Sequence, residues 1–135
     1  MSEEAVERVS VAYLDTHSAV FLHDGLTEEF SSEAKKQIEA NDLLISPMVF
    51  LEFDYLYRRK RIGVDAISMA ATLNAAFGVA LCRLPFPAVV LESLKVTWTN
   101  DPFDRLIVAQ ASANHTAMLI TRDRVLRQKY SNAVW

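Results

Sequence analysis

Four carboxylates, Asp15, Glu52, Asp104 and Asp123, stand where an apolar segment ends or a helix begins. Acids enter a core only when something compensates them. If the fold gathers these four, their mutual repulsion calls for a cation, and a divalent metal is the natural one. Carboxylate oxygens suit Mg²⁺ or Mn²⁺, hard ions that retain part of their water shell. Such ions activate water and stabilise charge developing on phosphate, which is the chemistry of a nuclease.

Each acid also has a local reading. Asp15 directly follows the apolar run Val11-Ala12-Tyr13-Leu14 and would cap a helix beyond it. Glu52 has Met48, Val49, Tyr55 and Leu56 at three and four residues' distance, so it lacks a local cation, whereas Asp54 has Arg58 four residues on. Asp101 reads as an N-cap ahead of Pro102, with Asp104 in the first turn at the mouth of the apolar body Leu106-Ile107-Val108-Ala109. Asp123 ends Leu119-Ile120-Thr121-Arg122 and would cap a helix from Val125 or pair with Arg122 or Arg124.

The elements that must position these acids follow from periodicity and punctuation. Strands are expected at Val9 to Asp15, Leu43 to Ile45, Val79 to Leu84, Ala117 to Thr121 and Ala133 to Trp135. Helices are expected at His17 to Asp24, within Thr27 to Asn41 with polar starts at Thr27 and Ser31, and at Pro47 to about Arg61, Val64 to Phe77, Ala88 to about Lys95, Phe103 to Asn114 and Val125 to Tyr130. Gly25, Gly63 and Gly78 mark helix ends. Strands alternating with helices, mostly as continuous apolar runs, imply an α/β fold with a central, mainly parallel sheet between helices. Sites in such sheets lie at the carboxyl ends of the strands, where Asp15 and Asp123 fall.

At 135 residues the chain reads as a single domain, 1–135, with an ordinary soluble balance: 51% hydrophobic, 23% charged and a net charge of −3. Global charge therefore points to no nucleic-acid partner, and only its distribution can. One cysteine, Cys82, excludes an internal disulfide and a thiolate zinc cage, fits packing in Val79-Ala80-Leu81-Cys82, and suits a reducing cytoplasm. The start Met1-Ser2-Glu3-Glu4 lacks a basic signal-peptide region, and the uncharged stretch Ala66 to Cys82 is interrupted by Ser68, Thr72, Asn74 and Gly78, so no membrane association is expected. There is no Gly-rich phosphate loop, no nucleophilic serine elbow and no metal-ligand spacing among His17, His23 and His115.

With these residues in hand, the chain resembles the PIN-domain ribonucleases, in particular VapC-type toxins of toxin–antitoxin pairs. The likeness rests on Tyr13-Leu14-Asp15-Thr16-His17, Ile45-Ser46-Pro47 leading to Leu51-Glu52, Thr99-Asn100-Asp101-Pro102-Phe103-Asp104 with the helix through Ala111, and Leu119-Ile120-Thr121-Arg122-Asp123. It implies a three-layer α/β/α domain. Asp15, Glu52, Asp104 and Asp123 would form a catalytic, metal-binding tetrad for Mg²⁺ or Mn²⁺, with Asp101 as an additional acid and Thr121 as an accessory hydroxyl. It also implies an RNA substrate, a cognate antitoxin and a homodimer. Many relatives carry Asn or Ser where His17 stands, which bears on substrate contacts rather than on metal binding.

Two basic clusters adjoin these motifs. Arg122, Arg124, Arg127 and Lys129 are balanced between RNA contact and solvation, with Arg122 and Arg124 the candidates for RNA. Arg58-Arg59-Lys60-Arg61 reads more readily as a solvated helix end. Trp98, Trp135, Phe50, Phe53 and Tyr57 fit a core or dimer contact better than base stacking. Two rival enzymes fall behind: a dehalogenase-type phosphatase wants an acid at His17, and a phosphoacceptor receiver wants adjacent acids beside Asp15. A PIN-like module acting only through binding is the remaining alternative.

Overall fold

The computed structural model describes residues 10–135. Val9 and the acidic start Met1 to Glu4 lie outside the described residues. Five strands, β1 (Val11–Leu14), β2 (Asp42–Ile45), β3 (Ala80–Leu81), β4 (Met118–Ile120) and β5 (Ala133–Val134), form one sheet in the order β3-β2-β1-β4-β5. Every pairing is parallel, with Ala12 opposite Leu43 on one side and Met118 on the other. Parallel strands need crossovers, and helices supply them: α1 (Thr16–His23), α2 (Ser32–Ala40), α3 (Pro47–Arg58), α4 (Ala66–Phe77), α5 (Phe86–Ser93), α6 (Pro102–Ala113) and α7 (Arg124–Lys129).

The order reverses direction between β1 and β4. From β1 the chain winds outward one way through β2 and β3, and from β4 the other way to β5. The crossovers at this switch point diverge and leave a crevice beyond the carboxyl ends of β1 and β4. Beneath it Tyr13, Leu14, Ile45, Leu119 and Ile120 are fully buried with Phe53 of α3 and Met69 and Leu73 of α4. Cys82 is buried, and its sulfur lies 3.0 Å from the Tyr13 hydroxyl, which also accepts from Asn114. No helix among the described residues is long and apolar enough to cross a membrane.

Several element boundaries differ from the sequence expectation. Of the two polar starts within Thr27 to Asn41, Ser31 caps α2, while Thr27 opens only a 3-10 turn, Thr27–Glu29, that gives way to extended backbone at Phe30. Phe30 is buried, with its ring 5.1 Å from Trp135 and 6.3 Å from Phe21, and this packing outweighs helical continuity. The third strand shrinks to Ala80–Leu81 at the sheet edge, because Val79 N–H closes α4 on Leu73 and Pro85 follows soon after. Helix α5 starts earlier than expected, at Phe86, with Pro87 in its first turn where a missing N–H is harmless. Asp65 caps α4, so that helix begins at Ala66 rather than Val64. Helix α3 stops at Arg58, three residues early, where Lys60 turns the chain in a left-handed conformation with φ 59°.

Candidate active site

The switch-point crevice is a cleft of about 460 Å³ lined by Asp15, Thr16, His17, Glu52, Asp101, Asp104 and Asp123, with Phe21, Ile107, Arg122 and Leu126 around them. All four sequence-derived acids and the additional Asp101 therefore share one cavity. Among the described residues, however, no three His, Cys, Asp or Glu side chains stand close enough together to enclose a metal ion. The carboxylates line the same space without forming a closed cage.

Local capping delivers three of the acids. Asp15 caps α1, its Oδ1 accepting from Ser18 N–H. Asp101 caps α6, with Oδ1 accepting from the N–H groups of Phe103 and Asp104. Asp123 caps α7 through Oδ1 to Val125 and Leu126. The capping reading is thus correct, and since an N-cap places its side chain at the helix mouth, capping also turns these three acids toward the crevice they line. The positive ends of those helices also ease the crowding of negative charge. Neither Arg122 nor Arg124 pairs with Asp123. Arg122 instead contacts Glu29 at 2.7 Å, with its guanidinium 5.7 Å above the Phe21 ring, while Arg124 is exposed at the start of α7.

Asp15 is the most enclosed acid. Its Oδ2 accepts from the Thr121 hydroxyl at 2.5 Å, and Thr121 is itself fully buried. Burial raises the Asp15 pKa, while the hydrogen bonds from Thr121 and Ser18 and the His17 side chain oppose the rise. Glu52, which had no local partner in sequence, receives one from α1: the buried Thr16 hydroxyl donates to its Oε1 at 2.5 Å. Burial raises its pKa too, against Thr16 and His17, and Asp101 and Asp15 add to the rise. Asp104 accepts no side-chain or capping hydrogen bond among the described residues. Its pKa is pushed up to about 6 by burial, then by the charges of Asp101, Asp123, Glu52 and Asp15. The charges of the other four acids thus all act on this one group, as carboxylates sharing one cavity must.

Sequence reasoning missed Thr16 and Ser18. Ser18 supplies the N–H to Asp15 and donates its hydroxyl to Ile120 O, joining α1 to β4. A hydroxyl pair flanking the first acid was the available signal, but their targets lie 36 and 102 residues away. Ser46 caps α3 as expected and also donates to Gln110 of α6, fixing the helix that carries Glu52.

A PIN-domain family model matches residues 12–132, and the chain belongs to the PIN-domain family. Its fold is shared with chains of VapBC toxin–antitoxin structures. VapBC2 from Rickettsia felis bound to a DNA fragment from their promoter is 15% identical, with a TM-score of 0.62 over 92% of this chain and 96% of that one. A toxin–antitoxin complex from Klebsiella pneumoniae is 20% identical, again at 0.62 over 92% and 96%. VapBC-1 from nontypeable Haemophilus influenzae is 15% identical, at 0.55 over 93% and 96%. Likeness at these identities is likeness of fold. No sequence among the curated proteins matches the chain.

Proposed function

We propose that this PIN domain is a divalent-metal-dependent endoribonuclease, the toxin of a type II toxin–antitoxin pair. It would act in the cytoplasm as a homodimer and be restrained by a cognate antitoxin. The observation that carries the reading is the convergence of Asp15, Glu52, Asp101, Asp104 and Asp123 on one cleft at the switch point. Five acids in one cleft whose cation, Arg122, is paired with Glu29 strain the fold unless they have a use.

The donor set fits Mg²⁺ or Mn²⁺, being all oxygen, with the half-buried Asp104 carboxylate lacking a partner among the described residues. Carboxylates that line a space without closing around it suit Mg²⁺, which takes one or two protein carboxylates and keeps several waters. Asp15, Glu52, Asp104 and Asp123 would hold the ion, one or two directly and the others through its retained waters, with Asp101 beside them. When bound, it would supply Lewis-acid stabilisation of charge developing on the phosphodiester and a more acidic water. The chain's own part is positional. Thr121 and Ser18 lock the Asp15 carboxylate, and Thr16 fixes Glu52 against free rotation on α3. His17, exposed at the cleft mouth, stands where a nucleotide would enter.

The open arrangement of the acids also favours a second reading, a PIN module that binds a partner without cleaving. Purified wild type, Asp15→Asn and Asp104→Asn should be incubated with RNA and Mn²⁺ or Mg²⁺, with metal affinity titrated by calorimetry. Metal-dependent cleavage lost in both variants supports the nuclease. Wild-type-like cleavage by either variant overturns the site, and no metal affinity with no cleavage moves the function to the binding module.

A further inference from the structure

Without a metal, a cleft that presents five carboxylates repels a phosphodiester chain, so metal-independent affinity for RNA must come from cations elsewhere on the surface. Arg122, the cation lining the cleft, is already committed to Glu29. The run Arg58-Arg59-Lys60-Arg61 at the end of α3 is fully displayed to solvent, and among the described residues only Arg58 takes a carboxylate partner, Asp54.

A continuous path joins that run to the cleft. Glu52, Tyr55 and Arg59 are spaced by three and then four residues, so they share one face of α3. Tyr55 is 46% exposed, and its ring lies 6.0 Å from Phe103, the residue between Pro102 and the cleft acid Asp104. The Arg59 guanidinium sits 5.4 Å over the other end of the path, the Tyr55 ring, and donates to the Tyr55 hydroxyl at 3.2 Å. Acid, aromatic ring and cation thus follow one another along α3. From Glu52 to Arg59 the helix rises about 10 Å at about 1.5 Å per residue. Beyond Arg59, a concavity of about 590 Å³ is bordered by Tyr57, Lys60 and Arg61.

Lys60 distinguishes this run from an ordinary solvated helix end. The Arg61 N–H closes on Leu56 O at 2.8 Å and the Lys60 N–H on Tyr57 O at 2.9 Å, which together form a Schellman cap. Its left-handed position, φ 59°, favours glycine on stability grounds, yet a lysine occupies it. Helix termination does not call for a lysine there, and the residue adds an exposed cation beside Arg59 and Arg61.

We infer that the Phe103–Tyr55–Arg59 face of α3, continued by Lys60 and Arg61, is the track along which single-stranded RNA leaves the acidic cleft. Tyr55 stacks a base and the cations neutralise phosphates. This rests on the proposed ribonuclease reading and names the substrate surface for it.

The test measures anisotropy of a fluorescein-labelled single-stranded RNA against salt concentration in EDTA, where binding is read without cleavage. Tyr55→Ala should weaken binding about 5- to 100-fold, as loss of one stacked base does. Lys60→Gly should weaken binding and lower the salt slope by about 0.7, one phosphate's share on a single strand, while its melting temperature is equal to or above that of wild type. That pairing of lower affinity with undiminished stability is not produced by a merely structural role. Unchanged affinity and slope in both variants, with wild type still cleaving RNA, overturns the track alone; a wild type that neither binds nor cleaves RNA overturns the nuclease reading with it. Two further outcomes also overturn the track. One is conversion of a dimer to a monomer by Tyr55→Ala with RNA binding unchanged, which gives the face to a second copy. The other is loss of polyglutamate binding with RNA binding intact, which gives it to an acidic protein.

Discussion

Removing the charge at Asp104 should stabilise the metal-free protein, and the size of the effect follows from its surroundings. Burial and four neighbouring acids push its pKa from 3.8 to about 6. The folded state therefore binds more protons than the unfolded chain between those values, and stability falls as pH rises through the interval. At pH 8 the full penalty is present, about 3 kcal/mol at about 1.36 kcal/mol per pH unit. Solvent reaching the half-buried group screens it, and about 1.5 kcal/mol is the expected remainder. At about 2.1 cal/mol/K per residue, that corresponds to about 5 °C for a chain of this length. Asp104→Asn in EDTA should thus melt about 5 °C above wild type at pH 8, with the gap closing as pH approaches 4. Adding Mg²⁺ or Mn²⁺ should raise the melting temperature of wild type far more than that of the variant, because a ligand stabilises only the state it binds. Scanning calorimetry at pH 4, 6 and 8 with and without metal checks both. An Asn variant no more stable than wild type at pH 8, or a gap indifferent to pH, would refute the claim that the acids strain one another in a shared cleft.

Two further perturbations probe how the site is held. Thr16→Val keeps the shape but leaves Glu52 half-buried without its donor, costing about 1–3 kcal/mol; denaturant melts should show this, and Thr16→Ser should restore both stability and cleavage. Phe53→Ala hollows the fully buried side of the helix that carries Glu52, so a loss of about 3–5 kcal/mol in the same melts is expected, and a loss below about 1 kcal/mol would show that α3 does not depend on this contact.

Much of the site was legible because helix caps are local. Asp15, Asp101 and Asp123 were each readable as caps from the residue type and the element that follows, and the structure shows them in that role. Glu52 was conspicuous for the opposite reason, an acid with only apolar neighbours on its helix face. Its partner was not legible, since Thr16 is 36 residues away and only the packing of α1 on α3 brings the two hydroxyl and carboxylate groups together. Of the two helix starts legible between Thr27 and Asn41, Ser31 held as the cap of α2, while the Thr27 start gave only a 3-10 turn before Phe30, which packs on the distant Trp135. The partner of Arg122 was not legible either, since Glu29 lies 93 residues earlier.

The sequence by itself determined the alternation of strands and helices, the residue type at each helix mouth and the acids themselves, because capping and periodicity act over a few residues. Tertiary structure decided the strand order β3-β2-β1-β4-β5 and with it the crevice between β1 and β4. It also decided which hydroxyl holds which acid, and that an exposed face of α3 runs from the acids to a cluster of cations. Those outcomes depend on contacts between residues tens of positions apart, whose register is set only when the core closes.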